Sequence, residues 1–262
     1  MQLSNRLQMA AELVGEGYML VDVGTDHGYV PITLMEQGKI SSAYALDIHL
    51  GPLERAAVHI QQGGWQDSVI PVQSDGLQGI EANKIVSPAA LLIAGMGGGL
   101  IISILEKSLD KVGRFERIVL SPHSDVEQVR RFLDSIDIHI MQEEMLKEDG
   151  KFYVFLVCVH KEPKEKRGSQ AIINQNQDQY NAEELVSQTE WRYGKYLLEH
   201  KNAVLFDYLL AQQKTLRQLK MDMTKAAKAS DRAKNRLLQL QRDLCLNEMA
   251  LEYYDEAKIY GR

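Results

Sequence analysis

Cysteine is scarce in this chain: only Cys158 and Cys245 occur among its 262 residues. They lie far apart in the sequence and form none of the short paired spacings that are typical of zinc sites. Their number excludes a disulfide-stapled module as a class of protein. We expect both thiols to be reduced.

Long hydrophobic runs are also missing. No apolar stretch approaches the roughly 20 residues that a helix needs to cross a bilayer. The N-terminal segment MQLSNRLQMA has neither a basic region followed by an apolar core nor a small-residue cleavage site. We therefore expect a cytoplasmic protein with no membrane partner. A composition of 45% apolar and 25% charged residues is ordinary for a globular chain.

Glycine and proline are absent from residues 195–260, a composition that suits helix. Apolar residues recur there in two sets that are typical of a coiled-coil seam. The sets are Leu209, Leu216, Met223, Leu237, Leu244 and Leu251, and Leu205, Leu219, Ala226, Ala233 and Leu240. One helix of about 50 residues would be unusually long, and Ser230 with Asp231 offers a helix N-cap. The sequence therefore predicts two antiparallel helices that turn near residues 227–231.

The chain is acidic overall, with a formal net charge of −6. Its basic residues nevertheless concentrate between positions 214 and 236. The predicted turn would place this cluster at the exposed tip of the helical hairpin. A nucleic-acid backbone responds to local charge rather than to the balance of the whole chain. The tip is therefore a candidate nucleic-acid contact, with a solvated helix face as the alternative. The candidate contact residues are Lys225, Lys228, Arg232, Lys234 and Arg236.

The first 160 residues alternate short apolar runs with amphipathic stretches. Runs such as MLVDVG (19–24) and AALLIAG (89–95) are typical of buried strands, and LERAAVHIQQGG (53–64) is typical of a helix. This alternation predicts an α/β domain with a mainly parallel sheet and helices on both faces.

Two further signals complete the predicted organisation. The dipeptide Asp149-Gly150 predicts a hairpin, so the last two strands should be antiparallel to each other. The polar segment 161–170, KEPKEKRGSQ, is the predicted boundary. It gives one domain of residues 1–162 and a second, helical domain of residues 163–262.

Acidic and glycine residues follow four successive predicted strands, at the edge where an open parallel sheet binds ligands. Asp22 and Gly24 follow the first strand, Asp47 the second, Asp75 and Gly76 the third, and Gly95 the fourth. Asp22 could pair with an amino group, Asp47 with two ribose hydroxyls, and Asp75 with the exocyclic amine of adenine. The Gly24 turn could admit a chain close to the backbone. A cationic nucleoside without phosphate, S-adenosylmethionine, suits this set.

Two other ligands fit the same turn less well. A dinucleotide site needs Gly-x-Gly-x-x-Gly, whereas this turn reads Gly24-x-x-x-Gly28 and contains Asp26, which would repel a pyrophosphate. For a metal, the adjacent side chains of Asp26 and His27 should point apart, and no histidine or cysteine cluster lies nearby in the sequence. His49, His59 and His123 look isolated. We expect no metal.

Six segments together resemble the TrmK family, bacterial tRNA adenine-N1 methyltransferases that act on adenosine 22 in the D arm. The segments are LSNRL (3–7), DVGTDHGYVP (22–31), ALDI (45–48), SDGL (74–77), IAGMGG (93–98) and SPHSDVEQVRRFL (121–133). The resemblance covers nearly the whole chain, and its most specific parts are the Asp-His-x-Tyr-x-Pro and Gly-Met-Gly-Gly elements. It implies a class I methyltransferase domain of Rossmann-like fold joined to a C-terminal helical coiled coil. Ser121-Pro122-His123 departs from the Gln-Pro-Asn-like turn expected after the fifth strand.

The resemblance also implies two groups of site residues. S-adenosylmethionine would be held by Asp22, Gly24, Asp47, Asp75, Gly76 and Gly95. The target base would be faced by Arg6, Asp26, His27, Tyr29, Met96 and Gly97. The Gly-Met-Gly-Gly turn replaces the Asn-Pro-Pro-Tyr motif with which amino-methylating enzymes grip an exocyclic amine. That replacement suits a ring nitrogen, whose lone pair lies in the plane of the base.

The implied chemistry needs positioning more than base catalysis. Adenine N1 already has an available lone pair, so alignment would supply most of the acceleration. Asp26 is the first choice for stabilising the positive charge on the ring. His27 would orient the base or the methionine moiety. Tyr29 could stack on the base, with core packing as the alternative. The base must leave its tertiary pairing to expose N1. The basic hairpin tip and Arg6 would supply the phosphate contacts to tRNA.

We therefore expect a monomeric enzyme that methylates N1 of adenosine 22 in tRNA. Two alternatives stay open. One is a class I methyltransferase of another substrate. The other is a non-catalytic protein that senses S-adenosylmethionine with its first domain and binds a partner through its coiled coil.

Overall fold

The computed structural model describes residues 3–161, 182–226 and 231–255. The chain divides into two compact units, residues 1–163 and 164–262. The predicted boundary at residues 162 and 163 lies outside the described residues. Among the described helices, none is long and apolar enough to span a membrane.

Seven strands form one sheet in the first unit. They are β1 (Tyr18–Val23), β2 (Ile40–Asp47), β3 (Val69–Gln73), β4 (Ala89–Met96), β5 (Arg117–Pro122), β6 (Ile138–Glu148) and β7 (Lys151–His160). The strand order is β3-β2-β1-β4-β5-β7-β6. Strands β1 to β5 are parallel, whereas β7 is antiparallel to both β5 and β6. The prediction of a mainly parallel sheet is confirmed.

The predicted hairpin joins β6 and β7. Asp149 and Gly150 have φ values of 49° and 75°, the left-handed conformation that a tight two-residue hairpin turn requires at both positions. This turn reverses the chain and makes the last strand pair antiparallel. It also brings the middle of β7 beside β5, where Leu120 pairs with Leu156.

Helices cover both faces of the sheet. They are α1 (Asn5–Val14), α2 (Tyr29–Glu36), α3 (Leu50–Gln62), α4 (Gly98–Glu106), α5 (Leu109–Val112) and α6 (Val126–Ser135). Alternate strand residues enter two separate cores, so that Leu20 packs with α1, α2 and α3, whereas its neighbour Val21 packs with α4 and α6. Because both faces are buried, the strands read as continuous apolar runs.

The second unit is helical. Its helices are α7 (Ala182–Tyr193), α8 (Lys195–Glu199), α9 (Ala203–Ala226) and α10 (Asp231–Glu252). Helices α9 and α10 pack antiparallel, because Asn247 donates to the Leu209 carbonyl at 3.0 Å while Leu216 packs with Leu240. The break between them falls where the sequence predicted a turn, although residues 227–230 lie outside the described part of the chain. The coiled coil stays a prediction. The assignment of Leu219 to its buried seam is wrong, because this side chain is 41% exposed.

Candidate active site

The candidate site lies where the strand order reverses. Strand β2 lies on one side of β1 in the sheet, and β4 lies on the other side of β1. The loops after β1 and β4 separate at this point and leave a crevice at the carboxyl ends of the strands, the usual ligand position in such sheets. A cavity of about 450 Å³ opens there, a volume within the ordinary range of small-molecule sites.

Most of the predicted site residues line this cavity. They are Arg6, Asp22, Gly24, Asp26, Tyr29, Asp47, Asp75, Gly76, Gly95 and Met96. His27 and Gly97 are not among the lining residues. The lining also includes Thr25, Ile48, His49, Ser74 and Leu100, none of which was predicted as a site residue.

Asp22 is the most deeply buried of the four cavity acids, with 5% of its surface exposed. The Thr25 hydroxyl donates to Asp22 Oδ2 at 2.7 Å. Burial raises the pKa of Asp22 to about 7; the hydrogen bond from Thr25 opposes this rise and the nearby Asp47 charge adds to it. The carboxyl therefore exchanges its proton near neutral pH, and a cation beside it would favour the charged form.

Gly24 makes the turn after β1 narrow. Its φ of +76° is left-handed, and a Cβ there would overlap the Met96 side chain. The missing side chain leaves room for the Met96 side chain, which extends from the end of β4 across the crevice. Gly28, also left-handed, has a packing role instead, since a Cβ there would lie 3.2 Å from the Ala56 Cβ.

Asp47 and Asp75 stand at the ends of the next two strands. The backbone N–H of His49 donates to Asp47 Oδ1 at 2.9 Å and so orients the half-buried carboxylate. Asp75 is exposed in a turn that Ser74 stabilises, because its hydroxyl donates to the Gly76 carbonyl at 2.7 Å and accepts from the Gly79 N–H at 2.8 Å. Ser74 could not be predicted from the sequence, because a serine that stabilises a turn occurs at no characteristic spacing from other residues.

Asp26 and His27 contact each other, so the prediction that their side chains point apart is wrong. His27 Nε2 lies 3.4 Å from Asp26 Oδ1. Asp26 has a left-handed φ of 54°, which turns its side chain towards its neighbour instead of away from it. Arg55 Nε donates to His27 Nδ1 at 3.2 Å. Since Nδ1 accepts this bond, the neutral ring carries its proton on Nε2, the atom that faces Asp26.

His59 is not isolated, contrary to the sequence-based expectation. Its Nδ1 lies 3.0 Å from the His27 carbonyl oxygen, a hydrogen bond in which the ring donates. The Tyr29 ring stacks on His27 with centroids 5.0 Å apart and on His59 at 5.2 Å. These three rings form one cluster at the start of α2, and Tyr29 connects it to the cavity wall.

His123, also expected to be isolated, contacts Arg6 at 3.2 Å. Gly97 adjoins the same loop, and a Cβ there would lie 3.3 Å from the Ser124 hydroxyl. Within residues 3–161, 182–226 and 231–255, no group of three or more histidine, cysteine or acidic side chains could hold a metal ion.

The predicted nucleic-acid contacts of the helical unit are partly visible. Arg232, Lys234 and Arg236 are exposed on α10, and Lys234 pairs with Asp231 at 2.9 Å. Lys228 and the side chain of Lys225 lie outside the described residues.

An acidic cavity at the switch point of a mainly parallel sheet, with an antiparallel last strand pair, defines a Rossmann-like fold of the class I methyltransferase type. A family model described as a methyltransferase domain matches residues 3–156. The chain belongs to this methyltransferase family.

Known proteins similar to the chain carry more specific names. The tRNA (adenine(22)-N(1))-methyltransferase of Bacillus subtilis is 36% identical over 158 residues, which cover 60% of this chain and 65% of that protein. A Mycoplasma pneumoniae relative described as a tRNA methyltransferase is 30% identical over 135 residues, 52% of this chain and 60% of its own length. The chain thus matches less than two thirds of the length of these curated relatives.

Solved structures extend the similarity to nearly the whole chain. The crystal structure of the B. subtilis m1A22 tRNA methyltransferase TrmK has a TM-score of 0.78 and 27% identity, covering 95% of this chain and 99% of that one. A Streptococcus pneumoniae protein in complex with S-adenosyl-L-methionine has a TM-score of 0.75 and 28% identity, covering 95% and 100%. The resemblance to the TrmK family found in the sequence is confirmed.

Proposed function

We propose that the chain transfers a methyl group from S-adenosylmethionine to N1 of adenosine 22 in the D arm of tRNA. The observation that carries the proposal is the acidic cavity at the switch point, in a chain similar over 95% of its length to TrmK of B. subtilis. We also propose a cytoplasmic location, where bacterial tRNA is modified, and a monomeric enzyme.

The cavity fits the proposed methyl donor. Asp22 is buried with a pKa near 7, an arrangement that a positively charged amino group would stabilise. At Gly24 the Met96 side chain occupies the space beside the backbone, so an extended donor chain would approach this glycine once that flexible side chain moves aside. Asp47 is oriented by His49 at the end of β2, where it would accept hydrogen bonds from two ribose hydroxyls. The donor in the similar S. pneumoniae structure supports this choice of ligand.

When bound, S-adenosylmethionine supplies a methyl group made electrophilic by the positive sulfur. The chain's task is to hold the acceptor base in line with that methyl group, because positioning contributes most when the attacking lone pair is already available. Tyr29 lines the cavity and is fixed by stacking on His27, so it is placed to hold the base by its face. Met96 would border the base on the opposite side, with Gly95 beside the donor.

Asp26 would stabilise the positive charge that the adenine ring gains. Its carboxylate lies in the cavity lining and contacts His27 Nε2, which the Arg55 bond to Nδ1 keeps protonated. The side chain is 68% exposed in the free protein. The carboxylate therefore interacts strongly with the positive charge on the base only when the base has displaced water from the site.

Asp26→Asn is expected to lower kcat about 100-fold and to change the donor Kd less than about threefold. Asparagine tolerates the left-handed backbone as aspartate does, so the turn should be preserved. Single-turnover methylation of tRNA and calorimetric titration with S-adenosylmethionine measure the two effects. Asp67→Asn, at an exposed position outside the cavity lining, is the matched control. An unchanged rate in Asp26→Asn would remove this residue from the proposed role.

The proposed activity is tested with full-length protein, labelled S-adenosylmethionine and unmodified bacterial tRNA. We expect label to enter the tRNA. If label enters a protein or small molecule instead, the chain is a methyltransferase of another substrate. If the donor binds and no acceptor is labelled, the non-catalytic alternative replaces the proposal.

A further inference from the structure

Arg6 is the only arginine or lysine among the described residues that line the acidic cavity. It lies in the first turn of α1 and reaches the end of β4, where a Cβ on Gly95 would lie 3.4 Å from Arg6 Nη1. A guanidinium group thus stands on the side of the cavity that Gly95 and Met96 border. Its presence among four aspartates calls for a separate explanation.

Two uncharged groups hold this guanidinium. Arg6 Nη1 donates to His123 Nε2 at 3.2 Å, and Arg6 Cζ lies 5.3 Å from the centroid of the Tyr153 ring. The His123 and Tyr153 rings meet edge to face at 5.5 Å, so the three side chains form one cluster. The backbone N–H of His123 donates to the Met96 carbonyl at 2.8 Å and so fixes the loop after β5 to the end of β4.

His123 acts as an acceptor because it is neutral. Burial lowers the pKa of its imidazole, and the positive charges of Arg6 and Lys151 lower it further. The neutral ring can present a lone pair to Arg6, while the face of Tyr153 attracts the guanidinium without neutralising it.

The charge of Arg6 therefore stays available to a ligand. None of the ion pairs formed within the described part of the chain includes Arg6. A fixed guanidinium with unused donors matches the oxygens of a phosphate group. S-adenosylmethionine is a cation without phosphate, so this group would not serve the donor. An RNA acceptor carries a phosphodiester on each side of its target base.

We infer that Arg6, His123 and Tyr153 form an anion subsite that binds a backbone phosphate beside the target nucleotide of the RNA acceptor. Arg6 touches the phosphate, whereas His123 and Tyr153 are positioning residues that act through Arg6. The inference rests on the proposed function for the nature of the acceptor. It assigns a role to His123, at the position where the turn after β5 departs from the pattern expected of the family.

The subsite predicts a loss of tRNA affinity without a loss of donor affinity. Arg6→Ala in the full-length protein should raise the KM for tRNA about tenfold and reduce the slope of log affinity against log salt by about one. His123→Ala and Tyr153→Leu should raise this KM about threefold, because Arg6 keeps its charge but loses its fixed position. The donor Kd, measured by calorimetry without tRNA, should change less than about twofold in every variant, because the proposed donor contacts are made by Asp22, Asp47 and Asp75 and not by Arg6, His123 or Tyr153.

Tyr153→Phe is the matched control, since it keeps the ring face and removes only the hydroxyl. It should behave like the wild type. Arg6→Lys keeps the charge without the planar fork, so it should retain the salt slope and show an intermediate KM. Thermal unfolding verifies that each variant folds, and Arg6→Lys carries the test if Arg6→Ala does not.

Three results would overturn the inference. The first is an unchanged salt slope and an unchanged KM for tRNA in Arg6→Ala. The second is an equal rise of this KM in Tyr153→Phe and Tyr153→Leu. The third is a loss of donor affinity in Arg6→Ala that parallels its loss of tRNA affinity. These outcomes are distinguishable from failure of the proposed function. In that case the wild type itself would bind the donor and methylate no tRNA, whereas failure of the subsite alone leaves wild-type methylation intact.

Discussion

Asp22→Asn should weaken binding of S-adenosylmethionine by about 100-fold or more, because it removes the buried charge that we propose pairs with the donor's amino group. Asparagine can still accept the Thr25 hydroxyl bond, so the loop after β1 should keep its shape. Calorimetric titration measures the effect directly. Donor binding by the wild type should also weaken as pH falls below about 7, where the Asp22 carboxyl takes up a proton.

The same substitution should stabilise the donor-free protein. The folded-state pKa of Asp22, about 7, lies above its ordinary value of 3.8. Between these two pH values the unfolded state loses the proton while the folded state keeps it, so the wild type loses stability as pH rises. The Tm of Asp22→Asn should therefore exceed that of the wild type by a margin that is small near pH 4, grows up to pH 7 and then levels off.

Asp47→Asn is the control for this pair of effects. Its half-buried carboxylate is proposed to contact the ribose, so the substitution should weaken donor binding. The gain in Tm should be absent, because this side chain keeps part of its contact with water. Unchanged donor affinity in Asp22→Asn, or a Tm margin that shrinks as pH rises, would show that Asp22 is not the donor's charge partner.

Reversing three charges on α10, with Arg232, Lys234 and Arg236 each replaced by Glu, should lower tRNA affinity about 100-fold or more near 0.1 M salt. All three side chains are exposed, and each phosphate contact adds about one to the slope of log affinity against log salt. The slope should therefore fall by about three. Donor binding should be unaffected, because the described residues that line the donor cavity all belong to the first unit.

A matched control reverses Lys84, Lys107 and Arg114, which are exposed residues of the first unit outside the cavity lining. It imposes the same change in net charge. If both triple variants lose tRNA affinity equally, the effect reflects the total charge of the protein and not a contact surface on α10. If neither loses it, the α10 residues do not contact tRNA.

Local patterns predicted the framework of the molecule well. Strand and helix alternation gave the parallel sheet, and Asp149-Gly150 gave the antiparallel end, because each signal depends on a few adjacent residues. The edge of the sheet then brought Asp22, Asp47 and Asp75 around one cavity. This gathering follows from topology, since the ends of parallel strands lie on the same side.

Contacts between distant elements could not be predicted from the sequence. His59 lies in α3 and His123 follows β5, and nothing in their spacing indicates that one contacts His27 and the other Arg6. The Asp26 and His27 contact depends on one left-handed φ, which an aspartate adopts only in a particular turn. Leu219 shows the same limit for helices, because the heptad pattern does not indicate how much of each seam side chain the partner helix covers.

Mapping the methyl group by mass spectrometry tests the central claim most directly. Full-length protein, S-adenosylmethionine and an unmodified tRNA transcript should yield one added methyl group at N1 of adenosine 22. A transcript with guanosine at position 22 should gain none. A methyl group at another atom or nucleotide, or equal methylation of both transcripts, would contradict the account.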